Sequence, residues 1–299
     1  MKKLILFLML SFFSTAAYAS SSSTLSLFGS NDTDETNILI TTLYLRHYPD
    51  LIYLESFGLS HSDIRVNSRN FNYNGNREAI LLDFISPDEK NKLNLDLGVT
   101  FLNDNSTITG NVELKRIFNE RNALTLFLEN NIVDNEESIE EDLNFKSLGV
   151  NVDHEREKFF LSGMIGSTSF SNDNRRDFIK TKLGYSVWQK HGTYAYVRTY
   201  NYENSKPSQG FYFDPESYGR YLVGVQIRKI LLDGILTAHV DVGTQVFDGD
   251  DKLSYSWHAD YKKKITKPLL LHIKLESNQF EPDYRYTSFF LNLTYYFDL

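Results

Sequence analysis

Apolar and polar residues alternate strictly along this chain, in runs of about ten residues, and that pattern admits extended strands and excludes helices. Over 92–102, Leu93, Leu95, Leu97, Val99 and Phe101 share one face, with Asn94, Asp96, Gly98 and Thr100 on the other. Over 252–262, Leu253, Tyr255, Trp257, Ala259 and Tyr261 oppose Ser254, Ser256, His258, Asp260 and Lys262. The run 145–153 sets Leu148, Val150 and Val152 against Ser147, Gly149, Asn151 and Asp153. The run 235–247 sets Leu236, Ala238, Val240, Val242 and Val246 against Thr237, His239, Asp241, Gly243 and Gln245. A helix would scatter these residues around its circumference.

Soluble sandwiches alternate too, but their strands average about five or six residues. Runs of about ten suit a strand that crosses a bilayer at a tilt. The connections are expected to alternate short and long, as in outer-membrane barrels, and the chain closes on an aromatic-rich run, 286–297. Strands are read near 24–27, 37–48, 51–66, 79–85, 92–102, 107–117, 123–132, 143–154, 158–170, 177–189, 193–202, 218–229, 234–247, 253–263, 269–277 and 286–297. The fold class is therefore all-β, a transmembrane antiparallel barrel of about 16 strands, both termini periplasmic, with 14 as the alternative if the short first strand fails. Tight turns at 49–50, 119–122, 155–157, 191–192 and 266–268 then fall on the periplasmic side. Longer polar segments at 67–76, 134–142, 171–176, 203–217 and 278–285 fall outside.

The amino terminus agrees with that compartment. Lys2 and Lys3, an apolar run over 4–13 and Ala17-Tyr18-Ala19 form a secretory signal peptide over 1–19, leaving a barrel over 20–299 in the outer membrane. The apolar run is shorter than the roughly 20 residues of a spanning helix. Removing Lys2 and Lys3 takes the formal charge from −8 to −10, which argues against nucleic acid as a partner. Cysteine is absent, so disulfides and thiolate metal sites are excluded.

If the apolar face meets lipid, the polar face lines a lumen. Over 193–202, Tyr194, Tyr196, Arg198, Tyr200 and Tyr202 oppose Thr193, Ala195, Val197 and Thr199. Arg198 at mid-strand would cost roughly 2–4 kcal/mol against lipid, so the tyrosine face points inward. The same parity places Lys180, Lys182, Arg220, Gln226, Arg228, His239 and Asp241 in the lumen. Flat rings beside fixed donors are what a sugar chain needs from a conduit, held weakly at many points so that it can leave. The competing reading is that these groups satisfy one another and stiffen the barrel.

The string Gly210-Phe211-Tyr212-Phe213-Asp214-Pro215-Glu216-Ser217-Tyr218, running into Gly219-Arg220-Tyr221-Leu222, resembles the carboxy-terminal barrels of exopolysaccharide-export proteins. That family contains the outer-membrane subunits for cellulose and poly-N-acetylglucosamine secretion. The Tyr-rich ending, Tyr284-Arg285-Tyr286 and Tyr295-Tyr296-Phe297, is similar as well. The resemblance covers roughly the last hundred residues and implies a sixteen-stranded barrel through which a glycan leaves the cell. Two features depart from it. The helical-repeat region that precedes those barrels has no counterpart here, so a periplasmic scaffold protein is supplied separately or dispensed with. Asp298 and Leu299 also follow the usual terminal aromatic.

No H-E-x-x-H, G-x-S-x-G or phosphate-cradling loop is present. His239, His258 and His272 with Asp241, Asp260 and Glu276 form the most catalytic-looking group, weighed against a satisfied lumenal network. The acidic run 134–142 lacks the glycine turn of a calcium loop and reads as solvated. The expectation is a non-enzymatic conduit that exports an exopolysaccharide, without cofactor or metal, contacting outer-membrane lipid and lipopolysaccharide. A small-solute porin and a receptor or structural barrel with an occluded lumen are the alternatives.

Overall fold

The computed structural model describes residues 20–33, 35–68, 71–102, 105–133, 135–189, 192–279 and 284–297; the signal-peptide expectation over 1–19 lies outside them. Sixteen strands follow one another: β1 (Ser20–Asp32), β2 (Asn37–Tyr48), β3 (Leu54–Asn67), β4 (Asn72–Ile85), β5 (Asn91–Leu102), β6 (Asn105–Asn119), β7 (Asn122–Ile132) and β8 (Asn144–Arg156). Then come β9 (Phe159–Phe170), β10 (Arg175–Trp188), β11 (Thr193–Asn204), β12 (Ser217–Leu231), β13 (Gly234–Phe247), β14 (Asp250–Thr266), β15 (Leu269–Gln279) and β16 (Arg285–Phe297). A five-residue helix, α1 (Glu136–Glu140), interrupts the β7–β8 connection.

Each strand pairs antiparallel with its chain neighbours, and β1 pairs with β16 from Ser21↔Phe297 to Asp32↔Tyr286, so the sheet closes without an edge. Closure satisfies every backbone rung inside the sheet, which is what a bilayer demands of a spanning fold. The count is 16 and not 14, because β1 runs far beyond 24–27. It opens on four serines and ends on Gly29-Ser30-Asn31-Asp32, and Ser22, Ser26 and Ser30 are buried on the inward side.

The side-chain facing follows the alternation. Leu97, Val197, Val223, Val225, Val240, Val242, Leu253 and Trp257 are exposed on the outside, whereas Thr100, Arg220, Ser254 and Ser256 are buried within. We call the rim where β1 starts and β16 finishes the terminal end, and the opposite rim the loop end. The expected short–long alternation holds only partly. At the loop end the expected segments 67–76 and 171–176 are shortened, since β4 starts at Asn72 and β10 at Arg175, and β13 and β14 join through Asp248-Gly249. Both turn residues there have positive φ, 48° and 92°, the geometry that matches the right-handed twist of a hairpin. Among the described residues, 205–216 and the connection carrying α1 remain long, while 280–283 of the expected segment 278–285 lie outside the described residues.

β4 begins earlier than expected because polarity inverts along the β3–β4 hairpin. Near the terminal end Ser56, Ser60 and Asp83 are buried inside while Ile80 is exposed outside. Near the loop end Asp63, Arg65, Asn67 and Asn74 are exposed, and Ile64, Val66 and Tyr73 pack inside with Ile38 and Leu102. An apolar cluster thus occupies one side of the lumen mouth.

Candidate functional site in the barrel lumen

The strands β9–β14 carry the wall that the alternation points to. Antiparallel register sets Lys180 opposite Tyr200, Lys182 opposite Arg198, Tyr200 opposite Arg220, and Gln226 opposite His239. Because β11 starts at the terminal end, Tyr194, Tyr196, Arg198, Tyr200 and Tyr202 rise in that order toward the loop end.

Aromatic rings and cations share this wall at three levels. Lowest, Tyr194 meets Phe160 edge-on at 5.9 Å, and Lys182 Nζ lies 4.2 Å from the Tyr196 ring centre and 5.5 Å from that of Phe160. Higher, Lys180 Nζ lies 4.6 Å from the Tyr200 ring and 5.3 Å from Phe178. Near the loop end Arg176 sits 4.2 Å over Tyr202, which stacks on Tyr218 at 4.8 Å. Each cation is placed to gain from the negative face of a ring. Phe160 and Phe178 share the inward parity, and Phe178 lies between Arg176 and Lys180 on that face, the signal that could have marked it as lumenal.

The mid-wall residues bind one another. Asp241, 1% exposed, accepts from Tyr196 Oη at 2.6 Å, Arg198 Nη2 at 2.7 Å and Ser256 Oγ at 2.7 Å. Arg198 Nη2 also donates to Ser256 Oγ at 2.6 Å. Tyr196 is 4% exposed and covers Gly224, where an added Cβ would fall 2.7 Å from its ring. Arg220, 6% exposed, donates through Nε to Ser254 Oγ at 2.8 Å. Tyr196, Arg220 and Asp241 are therefore inward, as parity requires, but sealed beneath their neighbours and out of a cargo's reach. Tyr194, Tyr200, Lys180 and Lys182 keep accessible surface, and Arg228 is exposed near the terminal rim.

The segment 205–216 leans on the same wall. Tyr212 stacks on Phe170 at 4.4 Å and accepts from Asn174 Nδ2 at 2.9 Å; its burial pushes the phenol above its ordinary range. Arg176 Nη2 donates to the Phe213 carbonyl at 2.6 Å, and Asn204 Nδ2 to that of Pro215 at 2.7 Å. Asp214 Oδ2 accepts from the Gln209 amide at 2.8 Å, closing the loop on itself. The motif Phe211, Tyr212, Phe213, Asp214, Pro215 and Tyr218 thus extends the aromatic wall over the loop end. Beneath it lies a cavity of about 1140 Å³, bounded by Phe178, Lys180 and Tyr200 on this side and by Phe127, Glu113, Glu129 and Asp153 from β6–β8.

A second polar centre, on β2–β5, has inward parity but no distinctive motif. Asp83 accepts from Arg46, from Ser56 Oγ at 2.5 Å and from Asn94 Nδ2 at 2.7 Å, and Arg77 pairs with Asp96 at 2.5 Å. The histidines do not converge as a catalytic group. His239 stacks on His258 at 4.9 Å, His258 faces Glu276 at 3.6 Å, and His272 meets Asp260 at 2.8 Å on a separate rung. Among the described residues no three His, Cys, Asp or Glu side chains cluster as metal ligands.

The acidic run exposes Glu137, Glu140, Glu141 and Asp142 to solvent as expected, and departs from a loop in forming α1. Asn135 caps α1 by accepting from the Ser138 amide at 2.9 Å, and Ser138 and Ile139 are buried inside the mouth. A lone isoleucine among carboxylates was the available signal.

No protein-family model matches the chain, and neither does any curated protein sequence. Solved structures do match. One described as "Bacterial polysaccharide outer membrane secretin" superposes with a TM-score of 0.73 at 11% identity, covering 92% of this chain and 98% of that one. CdiB from Acinetobacter baumannii superposes with a TM-score of 0.54 at 10% identity, covering 92% of this chain and 60% of CdiB. At such identities the likeness shows the fold, a closed antiparallel barrel of the outer-membrane kind.

Proposed function

We propose that this barrel is an outer-membrane conduit through which an exopolysaccharide leaves the cell. The observation that carries the reading is the aromatic track on β9–β12, which runs from Phe160 and Tyr194 through Phe178 and Tyr200 to Tyr202, Tyr212 and Phe213. Pyranose faces lie against such rings, and Lys180 and Lys182 stand beside them as hydrogen-bond donors. Several weak, repeated contacts let a polymer enter and still advance, whereas one tight site would hold it. The outward belt of Leu, Val, Ile and Trp side chains supports insertion in lipid, and the sealed Asp241 and Asp83 centres keep the wall rigid.

Replacing Tyr194, Tyr200 and Tyr212 together with alanine tests this. These rings border the open lumen, so the barrel is expected to assemble and remain heat-modifiable while export of the polymer falls. Tyr196 is left intact because it holds Asp241. Undiminished export by the assembled triple variant would refute the track and favour a porin for small solutes.

A further inference from the structure

We infer that α1 is a displaceable strap across the barrel mouth, seated on an apolar patch of one wall and tied to the aromatic loop of the other. The patch consists of Ile38, Val66 and Leu102, which point into the lumen near the loop end, and buried Ile139 of α1 completes the cluster. Farther from the mouth the inward positions of these strands turn mostly polar, among them Thr42, Arg46, Ser60, Ser62, Asp96 and Thr100, so an apolar surface here serves no polar cargo. It fits the isoleucine that covers it.

The ties place α1 across the opening. Ser68 Oγ, after β3, donates to Glu136 at 3.0 Å, and Asn105 Nδ2, at the start of β6, donates to Asp142 at 2.5 Å. On the far side Ser138 Oγ donates to the Phe211 carbonyl at 2.7 Å. β4 and β12 stand half a circuit apart in the sixteen-strand closure, so this chain of contacts spans the mouth. The two partners are unequal. The loop carrying Phe211 is fastened to β9–β11 by the Tyr212–Phe170 stack and by Arg176. By contrast, α1 has five residues, too few to hold a helix unaided, and depends on one buried isoleucine and a few hydrogen bonds. The β7–β8 ladder is complete below it, up to Ile132↔Asn144, so α1 can leave its seat without disturbing the barrel.

The strap requires only that the lumen conduct, whatever the cargo. The whole chain has no cysteine, so Ser68→Cys with Glu136→Cys introduces the sole thiol pair, to be joined by a short reducible bis-methanethiosulfonate linker. In planar bilayers the linked protein is expected to pass little current, and dithiothreitol to restore the unlinked level in the same channels. Ile139→Asp, which spoils the seat, is expected to raise open-channel current several-fold in a barrel that remains heat-modifiable. Failure of the thiols to link in folded protein would overturn the proposal. So would equal currents in the linked, reduced and Ile139→Asp states, including no current in any of them. Loss of the glycan reading, with linkage still governing ion current, would leave the strap standing.

Discussion

Asp241 gathers three donors from two other strands, Tyr196 and Arg198 of β11 and Ser256 of β14, and its near-complete burial makes it the residue on which the β11–β14 wall depends. A carboxylate taken out of water is tolerable only when its lone pairs are filled, and Tyr196, Arg198 and Ser256 fill them. Asp241→Ala removes the acceptor and leaves the buried Tyr196 hydroxyl and the guanidinium without it. The expected loss is about 1–3 kcal/mol, read as a lower urea midpoint in detergent or lipid. Asp153→Ala, on the border of the open cavity, is expected to stay within about 0.5 kcal/mol. Parity alone ranks these two aspartates together, since both are inward members of alternating runs. What separates them is register: Tyr196 meets Asp241 only because β12 places Gly224 between them, with no side chain to intervene. Facing was therefore legible in the sequence for Tyr196, Arg198, Arg220 and Asp241, while the partner of each was not. Pairing across two strands depends on turn lengths and strand stagger, which composition does not encode.

At the scale of elements, β2 and β13 were legible to the residue, and β5 to within one residue. β1 and β4 were legible only in part. Their remaining rungs carry serine, glycine and asparagine on the face where an apolar signal is sought, although the backbone pairing continues unchanged. α1 was missed because five residues are too few for helical periodicity to register. The facing itself is open to a direct test. Leu97→Arg and Val240→Arg put a charge on the exposed outer face and are expected to cost roughly 2–4 kcal/mol near the midplane, with loss of the heat-modifiable species on gels. Glu113→Arg, on the cavity side, is expected to assemble normally. Asp96 and Asp241 are unsuitable inward controls, since each already holds an arginine. Equal damage from the inward and outward substitutions would overturn this facing, and the reverse pattern would mean that the lipid and lumen faces are exchanged.

Across the whole molecule the two sides of the upper lumen differ in charge. Among the described residues bordering the large cavity, Asp32, Glu113, Glu129, Glu136, Glu137 and Asp153 supply six carboxylates, against Lys115, Arg176 and Lys180. The balance is −3, and the bases lean on aromatic rings: Arg176 lies over Tyr202 and Lys180 over Tyr200. A low-dielectric wall focuses the uncompensated field into the water of the cavity, which concentrates cations there and depletes anions. The barrel is thus expected to be cation-selective, with a reversal potential in a potassium chloride gradient displaced toward that of potassium. Replacing Glu113, Glu129 and Asp153 with Gln, Gln and Asn brings the balance to zero and should abolish the displacement without reducing assembly. Raising the salt should weaken the selectivity of the unmodified protein, because the Debye length falls from about 10 Å at 0.1 M to about 3 Å at 1 M. The same field would admit a neutral or cationic polymer and oppose a polyanion, so the sign of the reversal potential bears on the class of glycan the aromatic track can serve. An anion-selective barrel would show that the lysines of β10, rather than the carboxylates of β6–β8, set the potential along the pathway.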